Sequence, residues 1–185
     1  MSLYSYFSTK EEILNEVVDL LFQEVDLPAD SPDWEYFSRQ LFSAFRRVLL
    51  SHPNAVPLLG TRSPRSQLAL APIEASVRSL RQAGFDAPTA LDGHRVLMSF
   101  TVGYLLQEVA RFEERTNVDP AKWGTGFYAL SHLTPEQTPH LLALTPVALQ
   151  RQPDEQFATG LALVLAGLKM RLNGEQTATQ RPPGP

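Results

Sequence analysis

Phe157 to Leu168 is apolar around almost the whole circumference of a helix: Phe157, Leu161, Leu163, Val164, Leu165 and Leu168 point in nearly every direction. Gly160 and Gly167 add two points where another backbone can approach closely. A helix of this kind must be covered on all sides. The stretch is too short to cross a bilayer, which takes about 20 apolar residues, and it is charged on both flanks. A second segment, with Val96, Leu97, Met98, Phe100, Val102, Tyr104, Leu105 and Leu106, has the same character. Two such helices in a chain of 185 residues are either central within one chain or covered by a second copy of it, in a homodimer.

The rest of the chain is divided by proline and glycine into amphipathic stretches. Ser8 and Glu11 have capping-box spacing, and the apolar stripe behind them predicts a helix to about Asp26. Ser31-Pro32 and Ser63-Pro64 read as an N-cap followed by proline at the first helical position. The first opens a helix stopping near His52, because Pro53 disfavours helix before it. The second opens a helix with Pro72 inside it and Gly84 as its stop. Pro53 to Gly60 reads as one or two turns, and Pro88 opens a long helix to about Glu113. Thr134 with Gln137 caps a short helix ending before Pro146, and the last helix runs from about Pro153 to Leu172, with Asn173-Gly174 as its stop. No stretch alternates with period two for long enough to demand a sheet. The predicted fold is all-α, with residues 175–185 a disordered tail.

Composition narrows the function. With 16 Lys and Arg against 20 Asp and Glu, the net charge is -4, and a free-standing nucleic-acid binder is usually basic. The absence of cysteine removes disulfides, thiolate zinc sites and a cysteine nucleophile. The N-terminus lacks the pattern of a signal peptide, so the expected setting is cytoplasmic. His52, His132 and His140 show no spacing of a metal site with one another; no metal and no cofactor are expected.

Leu3 to Leu14 reads Leu-Tyr-Ser-Tyr-Phe-Ser-Thr-Lys-Glu-Glu-Ile-Leu. It resembles the segment of TetR-family transcriptional repressors that joins the recognition helix to the helix behind it. The resemblance continues through Leu27-Pro28, Trp34, Phe45-Arg46-Arg47, Gly60-Thr61-Arg62, Gly84-Phe85, Phe100-Thr101, Gly103 and Phe157 to Leu161. It covers about Leu3 to Leu172 and is similar to the tetracycline-repressor branch.

That resemblance implies a helical ligand-binding domain dimerising through a four-helix bundle. Residues 1–9 become the remnant of a helix-turn-helix recognition helix and its junction, and 10–174 the ligand-binding and dimerisation domain. Most of the DNA-binding head is expected to be missing, so operator DNA is a partner only of an intact parent protein. There Tyr4, Tyr6 and Lys10 match positions that approach DNA phosphates, contacts that position rather than specify. Their alternative is packing of a helix junction.

The tetracycline chemistry is not matched. Drug-binding members hold a magnesium chelate through a His and, by way of water, a Glu; the matching positions are Leu58 and Gln107. A drug-gripping Asn matches Leu41. Leucine cannot ligate a hard cation, so the expected effector is a small, largely apolar, metal-free molecule. The resemblance and the apolar stripes give as ligand-binding candidates Leu41, Phe45, Leu58, Thr61, Arg62, Ile73, Ser76, Val77, His94, Met98 and Gln107. Phe45 supplies a flat wall or plain core. Arg62 orients a carbonyl, phenolate or carboxylate, or caps the surface. His94 is a ligand contact or a satisfied structural group. The dimer-interface candidates are Leu97, Phe100, Tyr104, Phe157, Leu161, Val164, Leu165 and Leu168.

Two readings compete. A headless module would dimerise with intact regulators or bind a small molecule by itself. A small helical enzyme would use His94 with Asp92 or Glu108, but neither carboxylate makes an i, i+4 pair with it.

Overall fold

The computed structural model describes residues 9–117, 134 and 136–179. Tyr4 and Tyr6 lie outside the described residues, as do 180–185 of the expected tail. Six α-helices follow in order: α1 (Lys10–Gln23), α2 (Trp34–Ser51), α3 (Gln67–Gln82), α4 (Ala87–Asn117), α5 (Pro139–Gln150) and α6 (Pro153–Thr179). A 3-10 segment, Pro53–Gly60, joins α2 to the loop before α3. Among the described residues there is no strand, in agreement with the predicted all-α class.

The caps lie close to, but not at, the expected positions. Thr9 rather than Ser8 caps α1, its side chain accepting the Glu12 N–H at 3.2 Å. Asp33 rather than Ser31 caps α2, accepting the Tyr36 N–H at 3.0 Å. Ser31 instead accepts the Asp33 N–H at 3.2 Å, so the Ser-Pro pair shapes the turn leading into the helix. Ser66 rather than Ser63 caps α3 through the Ala69 N–H at 3.2 Å. Asp86 accepts the Thr89 N–H at 2.8 Å at the start of α4.

Gly84 stops α3 as expected. Its φ is 104°, the Phe85 N–H bonds Leu80 and the Gly84 N–H bonds Arg81, which is a Schellman ending. Four helix ends differ from expectation. α4 runs past Glu113 to Asn117. α1 stops at Gln23, short of Asp26. α5 runs through Pro146 to Gln150. α6 runs through Asn173 and Gly174 to Thr179: glycine permits a left-handed stop but does not compel one.

The core forms where α2 meets the others. Phe42 stacks on Phe45 with ring centres 5.9 Å apart, Phe22 meets Phe45 edge-on at 5.2 Å, and Trp34 meets Phe85 edge-on at 5.2 Å. Each such fully buried side chain contributes about 1.5–3 kcal/mol. α4 packs against α2, α3 and α6. The α4–α6 approach is close because Gly160 lies under the Phe100 ring; a Cβ there would stand 2.5 Å from the ring. Arg46 of α2 fastens the same corner. It donates to Glu108 of α4 at 2.6 and 3.1 Å, pairs with Asp154 of α6 at 2.8 Å and lies 5.2 Å over the Phe157 ring.

Of the interface candidates, Leu97, Phe157, Leu161 and Leu165 are buried within one chain, and Phe100, Tyr104, Val164 and Leu168 are partly buried against the same core. The exposed residues of α6 include Leu163, Ala166, Gly167 and Met170, which share one face.

Candidate ligand-binding site

α4 presents two ridges at four-residue spacing, which places them side by side on a helix. His94, Met98, Val102 and Leu106 form one; Arg95, Ser99 and Gly103 form the other. Together with Phe22 of α1, Leu70 and Ile73 of α3, and Leu59, Gly60, Arg62, Ser63 and Pro64 of the connecting segment, they line a cleft of about 520 Å³. That volume suits a small organic molecule.

The segment forming the cleft's rim is fastened to α1. The Asp19 carboxylate accepts the backbone N–H of Arg65 at 2.7 Å and of Ser66 at 2.8 Å. Burial pushes the Asp19 carboxyl up, but these N–H donors outweigh it and hold it below the ordinary carboxylate range. Gln23 adds a longer contact to the Ser66 hydroxyl at 3.4 Å. Nearer the start of α1, Arg62 Nη1 pairs with Glu11 at 2.9 Å. The 3-10 turns before it close through Thr61 and Arg62 N–H groups, both donating to Leu58.

Two lining residues carry buried polar atoms with no hydrogen-bond partner: Arg62 Nε and His94 Nδ1. Burial, with a smaller contribution from Arg95, lowers the His94 pKa to about 4, so the imidazole is neutral at pH 7. Its ring lies 6.3 Å from that of Phe42. An unpaired buried polar atom costs about 1–3 kcal/mol.

Of the eleven candidates from sequence, Arg62, Ile73, His94 and Met98 come together in this cleft. Leu41 and Phe45 are fully buried core instead. Leu58 and Val77 are partly buried against that core. Thr61 is exposed and its hydroxyl donates to Leu58 at 3.3 Å. Ser76 is buried behind the lining with its hydroxyl unpartnered, and Gln107 is exposed on α4. Lys10 stands exposed at the first position of α1. Sequence reasoning passed over Phe22, Leu59, Ser63, Leu70, Ser99 and Val102. The four-residue ladder on α4 was the available signal for Ser99 and Val102; nothing local marks Phe22 or Leu59.

The carboxylates considered as partners for His94 do not hydrogen-bond it. Glu108 holds Arg46, Asp92 stands 3.8 Å from Arg95, and His94 Nδ1 has no partner. Among the described residues no three His, Asp or Glu side chains cluster as a metal site, and no helix is long and apolar enough to cross a membrane.

Residues 27–172 match the family described as "Tetracyclin repressor-like, C-terminal domain". The class C tetracycline repressor protein of Escherichia coli is 30% identical over 176 residues, spanning 92% of this chain and 76% of that protein. An HTH-type transcriptional regulator of Saccharopolyspora erythraea is 35% identical over 108 residues, 58% of this chain and 46% of that one. The crystal structure of a possible TetR family transcriptional regulator from Streptomyces coelicolor A3(2) superposes with a TM-score of 0.77 at 27% identity, covering 91% of this chain and 82% of that one.

Proposed function

This chain belongs to the tetracycline repressor-like family of transcriptional regulators, and from that premise we propose that it is the effector-sensing, dimerising half of a cytoplasmic repressor. The effector is a small, largely apolar organic molecule bound without metal in the α1–α3–α4 cleft. The single observation carrying this reading is that the rim of a 520 Å³ cleft is bonded directly to α1 through Asp19. α1 is the helix that the family resemblance places behind the DNA-binding head.

The mechanism follows from that bond. A molecule entering under Leu59 and Gly60 displaces the 59–66 segment, and Asp19 and Glu11 carry the displacement to α1. The position of α1 sets how two heads meet operator DNA. Ligand shifts the equilibrium only by its differential affinity for the two positions of the segment. Tetracycline itself is not the proposed effector, because Leu41, Leu58 and Gln107 stand at the positions matching its polar and chelate-holding partners.

Thermal denaturation against a panel of planar apolar compounds tests this. A ligand at one hundred times its Kd adds about 2.7 kcal/mol. In a chain of this size that raises Tm by roughly 5–10 °C. A panel in which nothing moves Tm beyond replicate scatter sinks the reading.

A further inference from the structure

The charged residues lining the cleft, among those described, are Arg62 and Arg95. No Asp or Glu joins them, in a chain where acidic residues outnumber basic ones 20 to 16. Arg95 is largely in water, where its field is screened and serves attraction more than affinity. Arg62 is different: its side chain is mostly buried. It commits Nη1 to Glu11 and leaves Nε without a partner. The side-on edge of a guanidinium matches the two oxygens of a carboxylate. His94, at the same cleft, offers a neutral ring whose Nδ1 also lacks a partner. The other walls, from Phe22, Leu59, Ile73, Met98, Val102 and Leu106, are apolar.

We infer that the cleft selects an amphiphilic acid, a carboxylate or enolate on an apolar body, with the guanidinium of Arg62 as its counter-charge and His94 beside it as a polar neighbour. This rests on the cleft being the effector site and narrows a largely apolar effector to one with a single acidic group. Glu11 is exposed, and an exposed ion pair is worth little, so an arriving acid competes with it for Arg62. Glu11 stands in the first turn of α1. Acid in the cleft therefore loosens Arg62 from the helix that responds, and by reciprocity a weaker Arg62–Glu11 pair strengthens acid binding.

Fluorescence titration at pH 7.5 with two probes of one shape, 9-anthracenecarboxylate and 9-anthracenemethanol, decides it. The wild-type chain is expected to bind the carboxylate about tenfold more tightly than the alcohol, the scale of one charge-assisted hydrogen bond. Arg62→Gln abolishes that preference by weakening carboxylate binding about tenfold. Glu11→Gln, a surface change that leaves folding intact, strengthens carboxylate binding about three- to tenfold without altering the alcohol. Equal binding of both probes by wild type overturns the acid selectivity while leaving the cleft as an effector site. So does a preference that survives Arg62→Gln together with an unchanged Glu11→Gln. If neither probe binds, the effector-site reading falls and this inference with it.

Discussion

His94 is 6% exposed, its Nδ1 meets no partner, and burial holds its pKa at about 4 against an ordinary 6.5. Between those two values the unfolded chain takes up a proton that the native chain refuses. Stability is therefore complete above pH 6.5 and declines as pH falls toward 4, by about 3 kcal/mol in all. Asp19 loses its contribution only below this window, because its native pKa is lowered from 3.8. Urea unfolding of wild type and His94→Leu between pH 7 and 4.5 should give a falling line for the first and a nearly flat one for the second. Parallel slopes would place the proton elsewhere. The family resemblance and the apolar stripes together marked His94, Arg62, Ile73 and Met98. They did not mark Asp19, which reads as one more acid on an amphipathic helix. Its meaning depends on the backbone N–H groups of Arg65 and Ser66, 46 and 47 positions away, and no local pattern encodes that meeting.

Helix existence was legible at the next scale, and helix ends less so. Thr9, Asp33 and Ser66 took the caps expected of Ser8, Ser31 and Ser63 because several hydrogen-bonding side chains stand within three residues of each start. Which one caps depends on where the first N–H groups point. Gly84 behaved as its type predicts, whereas Gly174 did not end α6. At Gly160 the close neighbour is a side chain, the Phe100 ring, rather than a backbone, and Gly167 meets nothing within 4 Å. Gly160→Ala places a Cβ 2.5 and 2.6 Å from two ring carbons, and the ring is hemmed in by Tyr104 and Phe157. Overpacking of that kind costs about 1–3 kcal/mol. Melting Gly160→Ala beside wild type should show a lower Tm; a Gly160→Ala protein as stable as wild type would mean that α4 and α6 lie further apart than described.

For the molecule as a whole, the apolar circumference of α6 still has to be covered. The intrachain core takes one side through Phe157, Leu161 and Leu165. The other carries Leu163, 71% exposed, and Met170, 77% exposed, with Ala166 and Gly167 between them. Periodicity could show that this helix has two apolar sides but not which one the chain keeps for itself. Small residues flanked by large ones let two helices approach closely over this face, and an isologous pairing would bring the same face of a second copy against it. Leu163→Glu then puts two like charges into the contact without touching the core beneath. Light scattering should give wild type a mass twice the 20.6 kDa of the chain and Leu163→Glu a mass near one chain, with helical circular dichroism unchanged. A variant that stays paired would move the interface off this side of α6. A wild type that is monomeric at high micromolar concentration would leave no lever for setting two heads apart, and the repressor mechanism proposed for the cleft would lose the geometry it acts through.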